Sequence, residues 1–194
     1  MKNIAFRGDR SRRLMPGRGR KMMTRMRLTS IIIAALAIAI LITPGCRRSP
    51  KPIVTNGGWA FEGGQRGTVA DYKGKVVLLD FYATWCNPCR AETPHLVALQ
   101  QKLEQQGLQV VGLNVGGEED RAEVPAFAKE FDIKFPLVFP DDEFVDAYLG
   151  ANENIPQTFV LDRQGNVVRH FVGYSESRGA ELERIIQATL AQPN

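Results

Sequence analysis

Cysteine and histidine are scarce here: the chain has three cysteines and two histidines in 194 residues. Three cysteines do not make a disulfide-stapled scaffold. A zinc site takes about four ligands, and beyond one close cysteine pair only Cys46, His95 and His170 remain, at no metal-binding spacing. Excess positive charge is also missing from most of the chain. The formal net charge is +4, but ten Lys and Arg fall within residues 1–27 against the single acid Asp9, and from Cys46 onward 15 basic residues face 20 acidic ones. The basic character belongs to the leader, so no nucleic-acid partner is implied. Repeats and low-complexity tracts are absent beyond the leader, and the remaining length suits one domain with a single core.

Residues 1–45 join a basic segment to Leu28–Gly45, 18 uncharged and mostly apolar residues. This reads as a signal peptide or a signal anchor, close to the ~20 residues that span a bilayer. Charge on its N-terminal side places the following domain across the membrane. A start at Met22 or Met23 leaves a tidier basic region, and Arg12-Arg13 lies too far from the apolar run for a twin-arginine signal. Cys46 follows Gly45 in a pattern that resembles a bacterial lipobox, with Thr43 and Pro44 as departures. A lipidated Cys46, an uncleaved helix and release by cleavage all stay open; lipidation accounts for the odd cysteine. Residues 46–58, polar with Pro and Gly, read as a tether, and 59–194 as the domain.

Within that domain, Trp59–Phe61 and Gly67–Ala70 suggest a small hairpin. Strand Lys75–Tyr82, helix Cys89–Gln106, strand Leu108–Val115 and helix Arg121–Phe131 follow. Alternating strands and helices argue for a parallel core of βαβ units. Leu96, Leu99 and Leu103 give the first helix an apolar stripe, and Pro94 predicts a kink in it. A short strand, Leu137–Phe139, precedes a helix opened by Asp141–Glu143, where carboxylates at a helix start explain the acids better than calcium. Strands Gln157–Leu161 and Val167–Val172 flank the turn DRQGN as an antiparallel hairpin. A last helix, Arg178–Ala191, carries Leu182, Ile185, Ile186 and Leu190 on one face.

The chemistry centres on Trp85-Cys86-Asn87-Pro88-Cys89, directly after the apolar run. Two cysteines three apart at a helix start can close a small disulfide ring. Half a zinc knuckle and two inert core cysteines are the alternatives, and the strand-then-CxxC context favours a redox dithiol. Cys86, at the exposed helix end, gains from unpaired N–H groups and the macrodipole, which predicts a pKa below the ~8.5 of a free thiol. Cys89, one turn on and covered by Trp85 and the strand, acts second. Pro88 sits where its missing N–H costs little. Asp80 is an acid inside an apolar strand; burial should raise its pKa and make it a proton acceptor for Cys89. Arg90 stands either to stabilise the thiolate or as a solvated side chain, and His95 and His170 read as structural.

The stretch DYKGKVVLLDFYATWCNPCRAETP resembles the TlpA/ResA branch of the thioredoxin-like proteins, membrane-tethered thiol-disulfide oxidoreductases outside the cytoplasm. The resemblance continues through GLQVVGLNV, FDIKFPLVFPDDEFVDAYLG and NIPQTFVLDRQGNVVRHFVG, and covers about Trp59 to Ala191. It implies an α/β thioredoxin-like fold: a central mixed β-sheet flanked by helices, with an N-terminal β-hairpin and a family insertion at about 135–150. The position of Pro94 resembles thioredoxin. On the residues alone Ile155-Pro156 reads as a trans proline starting an edge strand; the resemblance implies a cis-proline beside the disulfide, open to an extended substrate peptide together with Trp85 and Ile155. It also places an acid near the active site at Glu92, while Asp80 resembles the buried aspartate of thioredoxin, a position where the membrane-tethered branch often has asparagine. Which of the two acids moves protons stays open.

The leading expectation is an extracytoplasmic, membrane-tethered reductant of protein disulfides in a bacterial cell envelope, working through Cys86 and Cys89 without a cofactor. The resemblance implies apocytochrome c haem-site cysteines as substrates and a membrane electron donor as partner. Neutral Asn87-Pro88 weakly favours a reductant over an oxidant or isomerase. A peroxidase and a non-catalytic peptide-binding module are the remaining alternatives.

Overall fold

Seven consecutive buried residues, Val76–Tyr82, form the strand on which the fold is assembled. A strand buried on both faces needs apolar side chains pointing both ways, and VVLLDFY supplies them with one exception, Asp80. The computed structural model describes residues 51–193. Its strands are β1 (Lys51–Pro52), β2 (Trp59–Ala60), β3 (Arg66–Gly67), β4 (Val76–Tyr82), β5 (Leu108–Asn114), β6 (Leu137–Pro140), β7 (Gln157–Leu161) and β8 (Asn166–Val172). Its helices are α1 (Asn87–Leu103), α2 (Glu118–Arg121), α3 (Val124–Glu130), α4 (Asp142–Leu149) and α5 (Glu176–Leu190). The sheet order is β1-β8-β7-β4-β5-β6-β2-β3. β4 runs parallel to β5 and antiparallel to β7, so the sheet is mixed, as in the thioredoxin-like fold.

Alternation along β4 divides the core. Val76 and Leu78 join Val110 and Val160 under Leu96, Leu99 and Leu103 of α1 and Leu182 and Ile186 of α5. Val77, Leu79 and Phe81 face the other way, onto Trp59, Phe144 and Tyr148. Trp59 is wholly buried and meets Phe144 edge-on at 5.3 Å, so the small hairpin β2–β3 anchors the second layer. The segment expected as an insertion supplies β6 and α4, with Asp141 capping α4 by accepting the Phe144 N–H.

Several expectations need correction. The end of the expected tether is part of the fold, because Lys51 and Pro52 pair with Val167 and Asn166 of β8 and Gly58 donates to Asp141. Val69–Tyr72 is a 3-10 turn capped by Thr68 and not a strand, since Asp71 accepts from the Thr68 N–H. The helix expected over Arg121–Phe131 is two short helices, with Pro125 opening the second. The first helix reaches Leu103 and tightens into a 3-10 turn before Gly107, whose φ of 101° ends it. The leader 1–45 and Cys46 lie outside the described residues.

Candidate active site

β4 ends at Tyr82 and hands the chain to a turn in which the Cys86 N–H donates to the Ala83 carbonyl at 3.2 Å. Cys86 caps α1: its backbone is extended (φ −77°, ψ 105°) and its sulfur accepts the Cys89 N–H at 3.2 Å. This is one of the donors that a helix N-terminus leaves unpaired. It points at the atom on which negative charge develops when the pair is reduced. Pro88 sits in the first turn, where no helical hydrogen bond is lost. The two sulfurs are joined at 2.08 Å with Cα atoms 5.3 Å apart.

Burial differs from the sequence reading. Cys86 is only 4% exposed and Cys89 1%, whereas Trp85 is 65% exposed. Trp85 is turned outward and does not cover Cys89; Tyr82, Ala83 and Phe127 pack with the cysteines, flanked by Ile155. The Ile155-Pro156 bond is cis, and the Ile155 carbonyl oxygen lies 3.8 Å from Cys86 Sγ. Cys86, Ile155 and Pro156 thus come together, with Trp85 standing at the rim of the same turn. Arg90 donates to the Thr84 carbonyl at 3.1 Å and pairs with Glu130. His95 meets the Gly179 carbonyl and His170 meets Gln157, both structural contacts.

The two acids lie beneath the dithiol. Asp80 points to the α1 side of the sheet, the face of Val76 and Leu78. Glu92 falls three residues after Cys89 on the buried stripe of α1. Glu92 is 3% exposed and Asp80 5%, so neither is a solvated side chain. Between them stands Thr158, which pairs with Asp80 across β4 and β7 and donates its hydroxyl to Glu92 Oε1 at 3.1 Å. Asp80 Oδ1 and Glu92 Oε2 are buried without hydrogen-bond partners among the described residues. Burial, reinforced by the Glu92 charge, lifts the Asp80 carboxyl well above its usual range. Burial lifts Glu92 to about 7, and the Thr158 hydroxyl pulls it partly back. Glu92 is therefore able to hold or take a proton near neutrality.

Two polar residues of this neighbourhood escaped the sequence reading. Thr158 gave a weak signal, a hydroxyl among the buried residues of β7. Asp120, 4% exposed, accepts hydrogen bonds from Thr84 and Asn114; in the acidic run EED it reads as an ordinary helix start.

A model of the AhpC/TSA family matches residues 59–170. The thiol-disulfide oxidoreductase ResA of Geobacillus thermodenitrificans is 36% identical over 111 residues, 57% of this chain and 62% of that protein. ResA of Bacillus cereus is 31% identical over 124 residues, 64% of this chain and 69% of its own. The chain thus spans a little under two thirds of the first of these relatives. A crystal structure of a thiol:disulfide interchange protein of the thioredoxin family from Chlorobium tepidum superposes with a TM-score of 0.62 at 30% identity, covering 75% of this chain and all of the other. With the CxxC pair capping a helix beside a cis-proline on a mixed sheet, these similarities have one reading: the chain belongs to the AhpC/TSA family and is ResA-like within it.

Proposed function

We propose that this protein is a membrane-tethered, extracytoplasmic reductant of protein disulfides, of the kind that keeps the haem-site cysteines of apocytochromes c reduced. The observation that carries the redox reading is the Cys86 sulfur held at the helix cap by the Cys89 N–H and set 3.8 Å from the Ile155 carbonyl. A substrate strand laid along the Ile155–Pro156 edge would bring its disulfide to Cys86 by backbone pairing.

In the reduced chain the Cys86 thiolate attacks one sulfur of the substrate disulfide. The substrate S–S bond breaks, one substrate thiolate leaves and takes up a proton, and a mixed disulfide joins Cys86 to the substrate. Cys89 then gives its proton to a buried carboxylate and attacks Cys86 Sγ. Its S–S bond forms as the mixed disulfide breaks, and the second substrate thiolate leaves and is protonated. Two electrons pass from the Cys86/Cys89 couple to the substrate; of the two protons its thiolates take up, one is given back by the buried carboxyl and the other comes from solvent, and an external dithiol donor must return the electrons. Glu92, with its carboxyl raised to about 7, is partly ionised near neutrality and suits the role of acceptor. Asp80, raised by burial and by the Glu92 charge, stands beside it on the same side of the sheet.

The tether rests on the apolar run and Cys46. Among the described residues no helix is long and apolar enough to cross a membrane. The electron donor is then a membrane dithiol protein, in keeping with neutral Asn87-Pro88 between the cysteines. The test is the reduction potential of the Cys86/Cys89 couple in the full chain, with insulin reduction by wild type and Cys86→Ser. A potential near the ~−270 mV of thioredoxin, with activity lost in the variant, is expected; a value near the ~−120 mV of strong oxidants would reverse the direction of electron flow.

A further inference from the structure

The redox turn is held from both sides at one residue. Thr84, 8% exposed, is the first central residue of the Ala83–Cys86 turn. Its N–H donates to Asp120 Oδ2 at 3.0 Å and its hydroxyl donates to Asp120 Oδ1. Its carbonyl accepts from Arg90 Nη1 at 3.1 Å. Every polar atom of Thr84 is thereby engaged by a charged side chain, one from α2 and one from α1.

Both gripping groups are themselves fixed. Asp120 Oδ2 also accepts from Asn114 Nδ2 at 2.6 Å, at the end of β5. The chain passes so close that a Cβ on Gly116 would fall 2.2 Å from Asp120 Oδ2, so only glycine fits there. Arg90 is paired with Glu130, and its guanidinium carbon lies 5.6 Å and 5.2 Å from the Phe127 and Phe131 ring centres. These contacts direct Arg90 at the turn.

We propose that Asp120 and Arg90 are positioning residues that clamp Thr84 and so set the reactivity of the Cys86/Cys89 couple. The proposal rests on the thiol-disulfide reading above and adds to it two residues that touch neither sulfur nor substrate. In the disulfide the S–S bond itself holds Cys86 in place. Once that bond is reduced, only the backbone keeps Cys86 Sγ within reach of the Cys89 N–H, and the backbone at that point is the turn that Thr84 begins. A loosened turn weakens the bond from Cys89 to the thiolate. The reduced form is then less stabilised, the couple becomes more reducing, and less thiolate is present to attack.

The experiment compares Asp120→Ala, Asp120→Asn and Arg90→Met in the full chain. Asn keeps an acceptor oxygen for the Thr84 N–H and the Asn114 amide, whereas Ala keeps none; Met retains the packing of the Arg90 stem without its donors. Two readouts are taken: the equilibrium constant of the couple against glutathione, and the rate of Cys86 alkylation by iodoacetamide near pH 7. Asp120→Ala and Arg90→Met should each shift the equilibrium toward the oxidised chain by about tenfold, ~30 mV for two electrons, and slow alkylation by a similar factor. Asp120→Asn should recover most of both.

If both readouts stay within about twofold of wild type while only the unfolding midpoint falls, the residues are structural and the proposal is overturned. Should Asp120→Ala fail to fold, Arg90→Met decides by the same criteria. The equilibrium constant needs no protein substrate, so a wild-type chain that reduces none would end the reading of function while leaving the clamp testable.

Discussion

Glu92→Gln separates the stability of this fold from its chemistry. Glu92 is almost wholly buried, and burial holds its carboxyl at about 7 against an ordinary value of 4.5. Between those values the folded chain keeps a proton that the unfolded chain has released, so stability falls as pH rises. The contribution is fully present below the unfolded value and gone above the folded one. One such group gives a slope of about 1.4 kcal/mol per pH unit and a loss of about 3 kcal/mol across the interval. Asp80, raised by burial and by the Glu92 charge, adds a decline of the same sign. Glutamine cannot ionise, so the variant should lose this limb. Apart from a constant offset, it should match wild type near pH 4 and gain about 3 kcal/mol near pH 8, roughly 6–12 °C in the unfolding midpoint. Urea unfolding of the oxidised chain across pH reads the effect, with the thiols kept out of the titration by their disulfide. The same variant should slow release of substrate from the mixed disulfide, because its acceptor is gone. Wild-type and variant stability curves that run parallel from about pH 5 to 8 would refute the reasoning.

Three further outcomes follow from the geometry. Cys89→Ser should accumulate a mixed disulfide between Cys86 and a protein substrate, visible by mass spectrometry of the non-reduced complex; sustained turnover in that variant would contradict the order of attack. Thr158→Val removes the hydroxyl that donates to Glu92, and a hydrogen bond to a charged acceptor of about 1.4 kcal/mol corresponds to about one pH unit. The pH limb of stability assigned to Glu92 should move upward by that amount, and an unmoved limb would remove Thr158 from the site. Trp59→Ala empties a fully buried site on the opposite face of the sheet and should cost about 3–5 kcal/mol in urea unfolding, while the equilibrium constant of the dithiol stays within about twofold.

The sequence made the centre of this molecule legible because its signals there are local. Val76–Tyr82 announces a buried strand by composition, the Leu96, Leu99 and Leu103 stripe announces the helix packed on it, and CxxC lies between them. Asp80 stood out as a single acid in an apolar strand, with a solvated strand end as the bland alternative. Glu92 was marked by the resemblance and not by its own residues: a glutamate on a helix is ordinary, and its burial depends on which face of α1 meets the sheet. The exposures of Cys86 and Trp85 came out reversed for a similar reason. They depend on the turn before the helix, and that turn is shaped by Asp120, 34 residues further along the chain than Cys86. The resemblance carried the cis bond at Pro156, which the residues alone would have left trans. Polar contacts made by single side chains to the backbone of a turn leave no periodic trace, and the clamp on Thr84 rests on these.

Two periodicities meet at the end of β4, and the chemistry depends on their agreement. A carboxyl can exchange a thiol proton near neutrality only inside low-dielectric walls, and the central strand supplies such walls to any residue within it. Period two along β4 puts Asp80 on the same side as Val76 and Leu78, beneath α1. A slip of one residue would send it among Phe144, Tyr148 and Phe159, away from the cysteines. Helical spacing puts Cys89, Glu92 and Leu96 on the stripe of α1 that faces that side. Cys86 as helix cap fixes the phase of the stripe, because the turn that aims its sulfur also decides which residue enters the helix first. Lengthening the connection between β4 and α1 by one residue would rotate Glu92 by about 100° and carry it off the buried face, even with both cysteines kept. The spacing from Asp80 to Cys86 is therefore as much a part of the active site as the pair of cysteines.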